Sequence, residues 1–279
     1  MFNKVFVTFL FLLMFACGVA AQTAGTPEMI SPNGVKFYAN PDEKNVVAEA
    51  EQKLAADPKN VELIIALGRA QGSVWRFRDA IATYTRGIEI DPKNAMLYRH
   101  RGHRYISMRQ FDKAVDDLNR AAKLNEKNFD IWYHLGLAYY LQGKFAKAAE
   151  AYEKCRAVAD KDDSVIAVSD WLYMTYRRLG DKNKAAGVLE RITPQMKVEE
   201  NKSYFDRLLL YKGLKQESEI YHDKLTDLDL ATVGYGIGNW YYYSGDKTKA
   251  KAIFQKVTNG KYWAAFGFIA AETELGRMK

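Results

Sequence analysis

The sequence is poor in cysteine and proline, with two and six of them in 279 residues. Two cysteines cannot form a multi-bridge disulfide framework. So few prolines leave long stretches free to be helical. Signatures of common enzyme classes are missing as well. There is no HExxH, no G-x-S-x-G, no glycine-rich phosphate loop and no cysteine–histidine pairing signature. Gly234, Gly236 and Gly238 fall inside a helical pattern, so they serve packing or flexibility and not dinucleotide binding. No enzymatic activity and no cofactor are expected.

Long apolar runs are missing too, with one exception at the N-terminus. Val5 to Ala16 is apolar except for Thr8 and follows Lys4. It is short for a permanent span, and Val19-Ala20-Ala21 supplies a small-residue cleavage pattern. Residues 1–21 are therefore expected to be a signal peptide cut before Gln22. An uncleaved anchor, or lipid attachment at Cys17, are the competing routes. Each places the mature chain outside the cytoplasm, periplasmic or secreted, with possible envelope association and no nucleic-acid partner. Loss of Lys4 takes the net charge from +7 to about +6, a balance that suits acidic partners. Residues 22–43 carry turn signals at Thr26-Pro27, Ser31-Pro32-Asn33-Gly34 and Asn40-Pro41-Asp42. They read as an extended segment, loosely packed or mobile, with Val35, Phe37 and Tyr38 as pins.

The remainder is rich in what a helical repeat needs. In 129–156, FDIWYHLGLAYYLQGKFAKAAEAYEKCR, apolar and small residues recur at helical spacing on both sides of Gly143-Lys144. Trp132, Leu135, Gly136 and Tyr139 form the pattern W-x2-L-G-x2-Y. Ala148 and Tyr152 follow on the return helix. Steps of 34 residues carry the pattern back to 95 and 61, where Tyr98, Gly102 and Tyr105, then Ile64, Leu67 and Gly68, fall in register. Small residues allow the paired helices to approach, and bulky ones fill the space between them.

On these residues the chain resembles the tetratricopeptide repeat family. The resemblance implies an all-α, right-handed solenoid over 44–279. Its units are a half-repeat cap at 44–60, repeats at 61–94, 95–128, 129–162 and 166–199, a degenerate repeat at 200–230 and another repeat at 231–259. A C-terminal capping helix occupies 260–279. The fourth repeat starts late because of an insertion at Asp160 to Ser164. Cys155 takes a small packed position, which predicts a buried, inert thiol.

The family's first helices line a concave groove. Carried over position by position, the groove residues are Arg99, His100 and His103, then Tyr133, His134 and Tyr140. Asp170, Trp171 and Arg177 follow, and the last repeat adds Tyr235, Asn239 and Tyr242. Arg69 and Arg178 share the face but read as solvated. Arg101 departs from the pattern, because its position should be apolar. With Arg99, His100, His103 and Arg104 it crowds five basic side chains onto two helical turns, which requires an acidic offset such as Asp130 or Asp170. His100, His103 and His134 share one face, but Arg99 and Arg104 would repel a cation, so no metal is expected. The expected function is a non-enzymatic scaffold whose groove binds a protein or peptide segment with an acidic group. The alternative ligand is an anionic envelope glycan or lipid.

Overall fold

The computed structural model describes residues 25–279. The expected signal peptide, with Cys17, lies outside them. The fold is an all-α solenoid of helix pairs. Helix α1 (Val46–Ala56) precedes four pairs: α2 (Val61–Ser73) with α3 (Phe77–Ile90), α4 (Ala95–Ser107) with α5 (Phe111–Leu124), α6 (Phe129–Leu141) with α7 (Phe145–Ala157), and α8 (Asp162–Arg178) with α9 (Lys182–Leu189). Then come α10 (Lys202–Tyr211), the single turn α11 (Glu217–Ile220), the pair α12 (Asp227–Ser244) and α13 (Lys247–Thr258), and α14 (Phe266–Arg277).

Each pair forms for local reasons. Asn60, Asn94 and Asn128 close the inter-repeat turns, and each side chain accepts backbone N–H groups at the start of α2, α4 or α6. These are N-caps, contributing about 1 kcal/mol apiece. Within a pair, small residues admit large rings. A Cβ placed on Gly136 would stand 2.6 Å from the Tyr152 ring. Consecutive first helices pack on one another (α2 on α4, α4 on α6, α6 on α8), whereas the second helices stand farther apart. That asymmetry curves the solenoid with its first helices inside.

The turn inside each pair needs a left-handed residue. Gly143, Gly180 and Gly245 supply it with φ of 76°, 77° and 106°. In the first two repeats the same position holds Trp75 (φ 62°) and Arg109 (φ 58°), a conformation costing a side-chain-bearing residue about 1–2 kcal/mol. Both side chains are used against the C-terminal segment. Trp75 packs edge-on to Tyr262 and Trp263. Arg109 pairs with Glu272 at 2.8 Å and donates to the Trp263 carbonyl at 2.9 Å.

The ends of the chain depart most from the sequence-based expectation. Residues 25–43 are firmly docked. Met29–Ile30 pairs antiparallel with Lys36–Phe37, the Glu28 carboxylate accepts the Arg78 amide, and Phe37 stacks on Trp263 at 5.1 Å. The side chains of Val35 and Tyr38 are exposed, although the Tyr38 carbonyl accepts the Trp263 indole N–H at 3.3 Å. Helix α14 is more than an end cap. It packs on α12 and α13 and also reaches back to α6. Gly267 lets it approach α12 so closely that a Cβ there would overlap the Ala231 carbonyl oxygen. Trp263, expected on this helix, precedes it. Of the residues read as an insertion at 160–164, Asp162 to Ser164 form the start of α8, because Asp162 and Asp163 suit a helix N-terminus.

Candidate functional site

The inner row of first helices carries every side chain expected in the groove, but the row is not one open surface. Over α6, α8 and α12 it is closed. Tyr140 (0% exposed), Asp170 (0%), Trp171 (1%), Tyr235 (0%) and Asn239 (0%) are core residues. The Tyr235 hydroxyl lies 2.7 Å from the Tyr140 hydroxyl, to which the Asn239 amide donates at 3.0 Å. Trp171 stacks on Tyr235. Asp170 is ion-paired with Arg207 of α10, both fully buried. Arg207 passes against Gly236, where a Cβ would lie 2.3 Å from its Cδ. These residues hold the solenoid together and present nothing to a ligand. The curvature brings α8 and α12 into contact, a long-range effect that repeat register does not encode.

Tyr133 and His134 are also buried. The His134 Nδ1 donates to the Asp130 carbonyl at 2.6 Å, and its ring packs on His103 with centroids 4.4 Å apart. Phe266, just inside α14, covers both imidazoles. Burial pushes His103 and His134 well below the ordinary histidine range, and neighbouring arginines add to it. Arg177 donates to the Tyr173 hydroxyl at 2.9 Å and lies over the Tyr243 ring. Arg178, expected to be solvated, is instead 7% exposed and paired with the buried Glu274 of α14 at 2.8 Å. Tyr242 lines a shallow depression of about 690 Å³ with Lys247, Lys251 and Arg277. Cys155 is buried, and burial raises its thiol pKa. His222 is exposed.

The open part of the inner face lies between α2 and α4. Arg69, Arg99, His100, His103 and Arg104 line a cavity of about 270 Å³ whose floor is Gly68, Gly72 and Tyr84. It shares Gly72, His103 and Arg104 with a second cavity of about 230 Å³, walled by Trp75, Phe77, Leu228 and Tyr262. Gly72 makes room for the guanidinium, since a Cβ there would come 2.8 Å from Arg104 Nη1. Arg99 pairs with Asp130 at 2.9 Å and donates to His100 Nδ1 at 2.9 Å, which fixes His100 as the neutral Nε2–H tautomer. Burial, followed by Arg99, Arg104 and Arg69, pushes His100 down to about 3. Arg104 is lowered to about 10, first by burial. Tyr84 is pushed up to about 12 by burial, although all three arginines oppose the shift.

Of the two acidic offsets expected for the basic cluster, Asp130 pairs with Arg99 and Asp170 is taken by Arg207, while Arg101 has a partner of its own. Arg101 leans away from the cavity and binds both carboxylate oxygens of Asp117 at 2.7 and 2.8 Å. Arg104 and Arg69 have no carboxylate within ion-pair distance among the described residues. Arg104 falls outside the groove positions transferred from the family, and only the glycine opposite it could have signalled its place. Among the described residues no group of three or more metal-ligating side chains converges.

Three family models match this chain. A "TPR repeat" model covers residues 102–143, and "Tetratricopeptide repeat" models cover 129–162 and 233–259. The chain is a tetratricopeptide repeat protein. Repeats of this family are interaction modules, generally without catalysis, that bind protein or peptide partners. Among solved structures the repeat protein is similar to MamA, at 26% identity over 60% of this chain and 86% of that one, with a TM-score of 0.46. It is also similar to YrrB, at 15% identity over 76% and 92%, with a TM-score of 0.48. YrrB is described as "a TPR protein with an unusual peptide-binding site". No curated protein matches the sequence significantly.

Proposed function

We propose that this repeat protein is a non-enzymatic scaffold that binds a protein segment carrying an acidic group in the cleft between α2 and α4. The observation that carries the proposal is the charge imbalance of that cleft. Three arginines line it and one carboxylate, Asp130, answers them. Arginine forks suit anionic oxygens, and buried aromatic and arginine groups supply most of the energy in protein recognition. The shape supports a segment over an extended glycan, because the tyrosines that would form a flat sugar-binding face (Tyr133, Tyr140 and Tyr235) are buried. The apolar run at residues 5–16 followed by small residues supports export, so the partner is sought in the envelope. Mass spectrometry of the mature chain checks that location, and an N-terminus at Met1 would count against it.

The binding test compares capture of envelope proteins by the wild type and by Arg69→Glu with Arg104→Gln, with folding of the variant verified by circular dichroism. The proposal expects the wild-type partners to be lost from the folded variant. Retention of the same partners at the same salt overturns it.

A further inference from the structure

The imbalance in the α2–α4 cleft also has a magnitude. Of the three guanidinium groups, Arg99 is neutralised by Asp130, while Arg69 and Arg104 are not paired among the described residues. His100 is held neutral, and Arg99 occupies its Nδ1. Among the described residues no acidic side chain lines the cavity. Two positive charges therefore lack a counter-charge at one small site, and one of them, on Arg104, is desolvated enough to lower its pKa to about 10. A single carboxylate would leave half of that charge unanswered. A tetrahedral dianion answers both and offers several acceptor oxygens to donors arranged around it. The adjoining cavity of about 230 Å³, walled by Trp75, Phe77, Leu228 and Tyr262, has room for one large apolar side chain.

The geometry points to a site for a phosphate monoester, presented by the bound protein segment next to an apolar residue. This rests on the segment-binding reading above and specifies its acidic group. Arg69 and Arg104 hold the dianion, Arg99 is oriented by Asp130 and His100 at its edge, and the Trp75–Tyr262 half takes the neighbouring side chain. A phosphorylated lipid headgroup shares the chemistry, and the vesicle arm of the test distinguishes it.

The test uses the full mature chain. Inorganic phosphate, sulfate and acetate are titrated at one ionic strength and followed by thermal shift and, for phosphate, by phosphorus NMR line broadening. The two tetrahedral anions are expected to bind at least about tenfold more tightly than acetate, the equivalent of roughly one charge-assisted hydrogen bond. Arg104→Met keeps the packing over Phe77 and is expected to abolish that preference. Should Arg104→Met not fold, the exposed Arg69→Gln carries the test with a smaller loss. A phosphoserine peptide with a flanking leucine is expected to outbind inorganic phosphate and its own unphosphorylated form. Equal binding of acetate and phosphate, or phosphate binding unchanged in both variants, overturns the assignment. Binding of phosphatidic acid vesicles in preference to the phosphopeptide overturns the protein-segment source. If phosphate shows no preference while the charge variant still loses its protein partners, only this assignment fails and the segment-binding function stands.

Discussion

The inner faces of α2–α4 and of α6–α8–α12 are built from equivalent repeat positions and meet opposite fates. Over the last three of these helices the face is dry. Asp170 is cancelled by Arg207, Tyr140 shares hydrogen bonds with Tyr235 and Asn239, and Arg178 is cancelled by Glu274. Over the first two it stays open, and arginine is in excess. The difference lies in what comes to rest on each face. The degenerate repeat drops Arg207 into the later groove, and α14 covers its edge. Tyr262 and Trp263, in the segment before α14, reach the earlier face only at its rim. Repeat position therefore specifies which way a side chain points, while occupancy of the groove specifies whether it is a core or a binding residue.

The contrast can be broken most severely at its closed end. Arg207→Ala leaves the Asp170 carboxylate buried without a partner, and removing one member of such a pair costs about 3–5 kcal/mol. Urea denaturation should show this loss, and Arg207→Met with Asp170→Leu should recover most of it. A double variant as unstable as the single one would mean that the ion pair does not dominate this junction. Trp263→Ala removes a buried ring held between Phe37, Trp75 and Phe77. A cost of about 3–5 kcal/mol is expected for a core tryptophan, together with faster amide exchange in residues 28–38. Unchanged exchange there would show that the N-terminal strands are anchored by something else.

A smaller effect should come from Gly236→Ala. The new methyl meets Arg207, and overpacking of this kind costs about 1–3 kcal/mol. The same change at Gly276, which has nothing within 4 Å, should leave the melting temperature unaltered or raised.

Acid should separate folded from unfolded through the histidines. His100, His103 and His134 are held below their ordinary range in the folded chain, His100 at about 3. Above the unfolded histidine pKa of about 6.5 both states are neutral and pH has no effect through these groups. Below it the unfolded chain takes up protons that the folded chain refuses, so stability falls as pH drops, by up to about 1.4 kcal/mol per unit per histidine. Urea midpoints between pH 7 and pH 5 should show the slope, and His100→Gln should reduce it by one histidine's share. The smallest effect on stability is expected for Arg69→Gln. An exposed substitution stays within about 0.5 kcal/mol yet still weakens anion binding, which would separate the binding face from the closed one.

Much of the architecture was legible because tetratricopeptide packing is local. A glycine opposite an aromatic ring, as at Gly136 and Tyr152, and an asparagine before each of α2, α4 and α6 act within one helix pair, and their spacing survives in the chain as a period of 34. The same reasoning brought Arg99, His100 and His103 to the cleft. It misplaced Tyr133, His134, Tyr140, Asp170, Trp171, Tyr235 and Asn239, because direction along a helix is periodic but burial is not. Arg69, read as solvated, is exposed, and it lines the cavity as well.

The sequence by itself determined the helix pairs, their register and the excess of positive charge on α4, since each depends on residues no more than one repeat apart. Only the tertiary structure decided which part of the inner face would stay open. That depends on contacts between residues far apart in the chain, Asp170 with Arg207, Arg109 with Glu272 and Phe37 with Trp263. Such contacts arise from the summed curvature of the repeats and leave no period in the sequence.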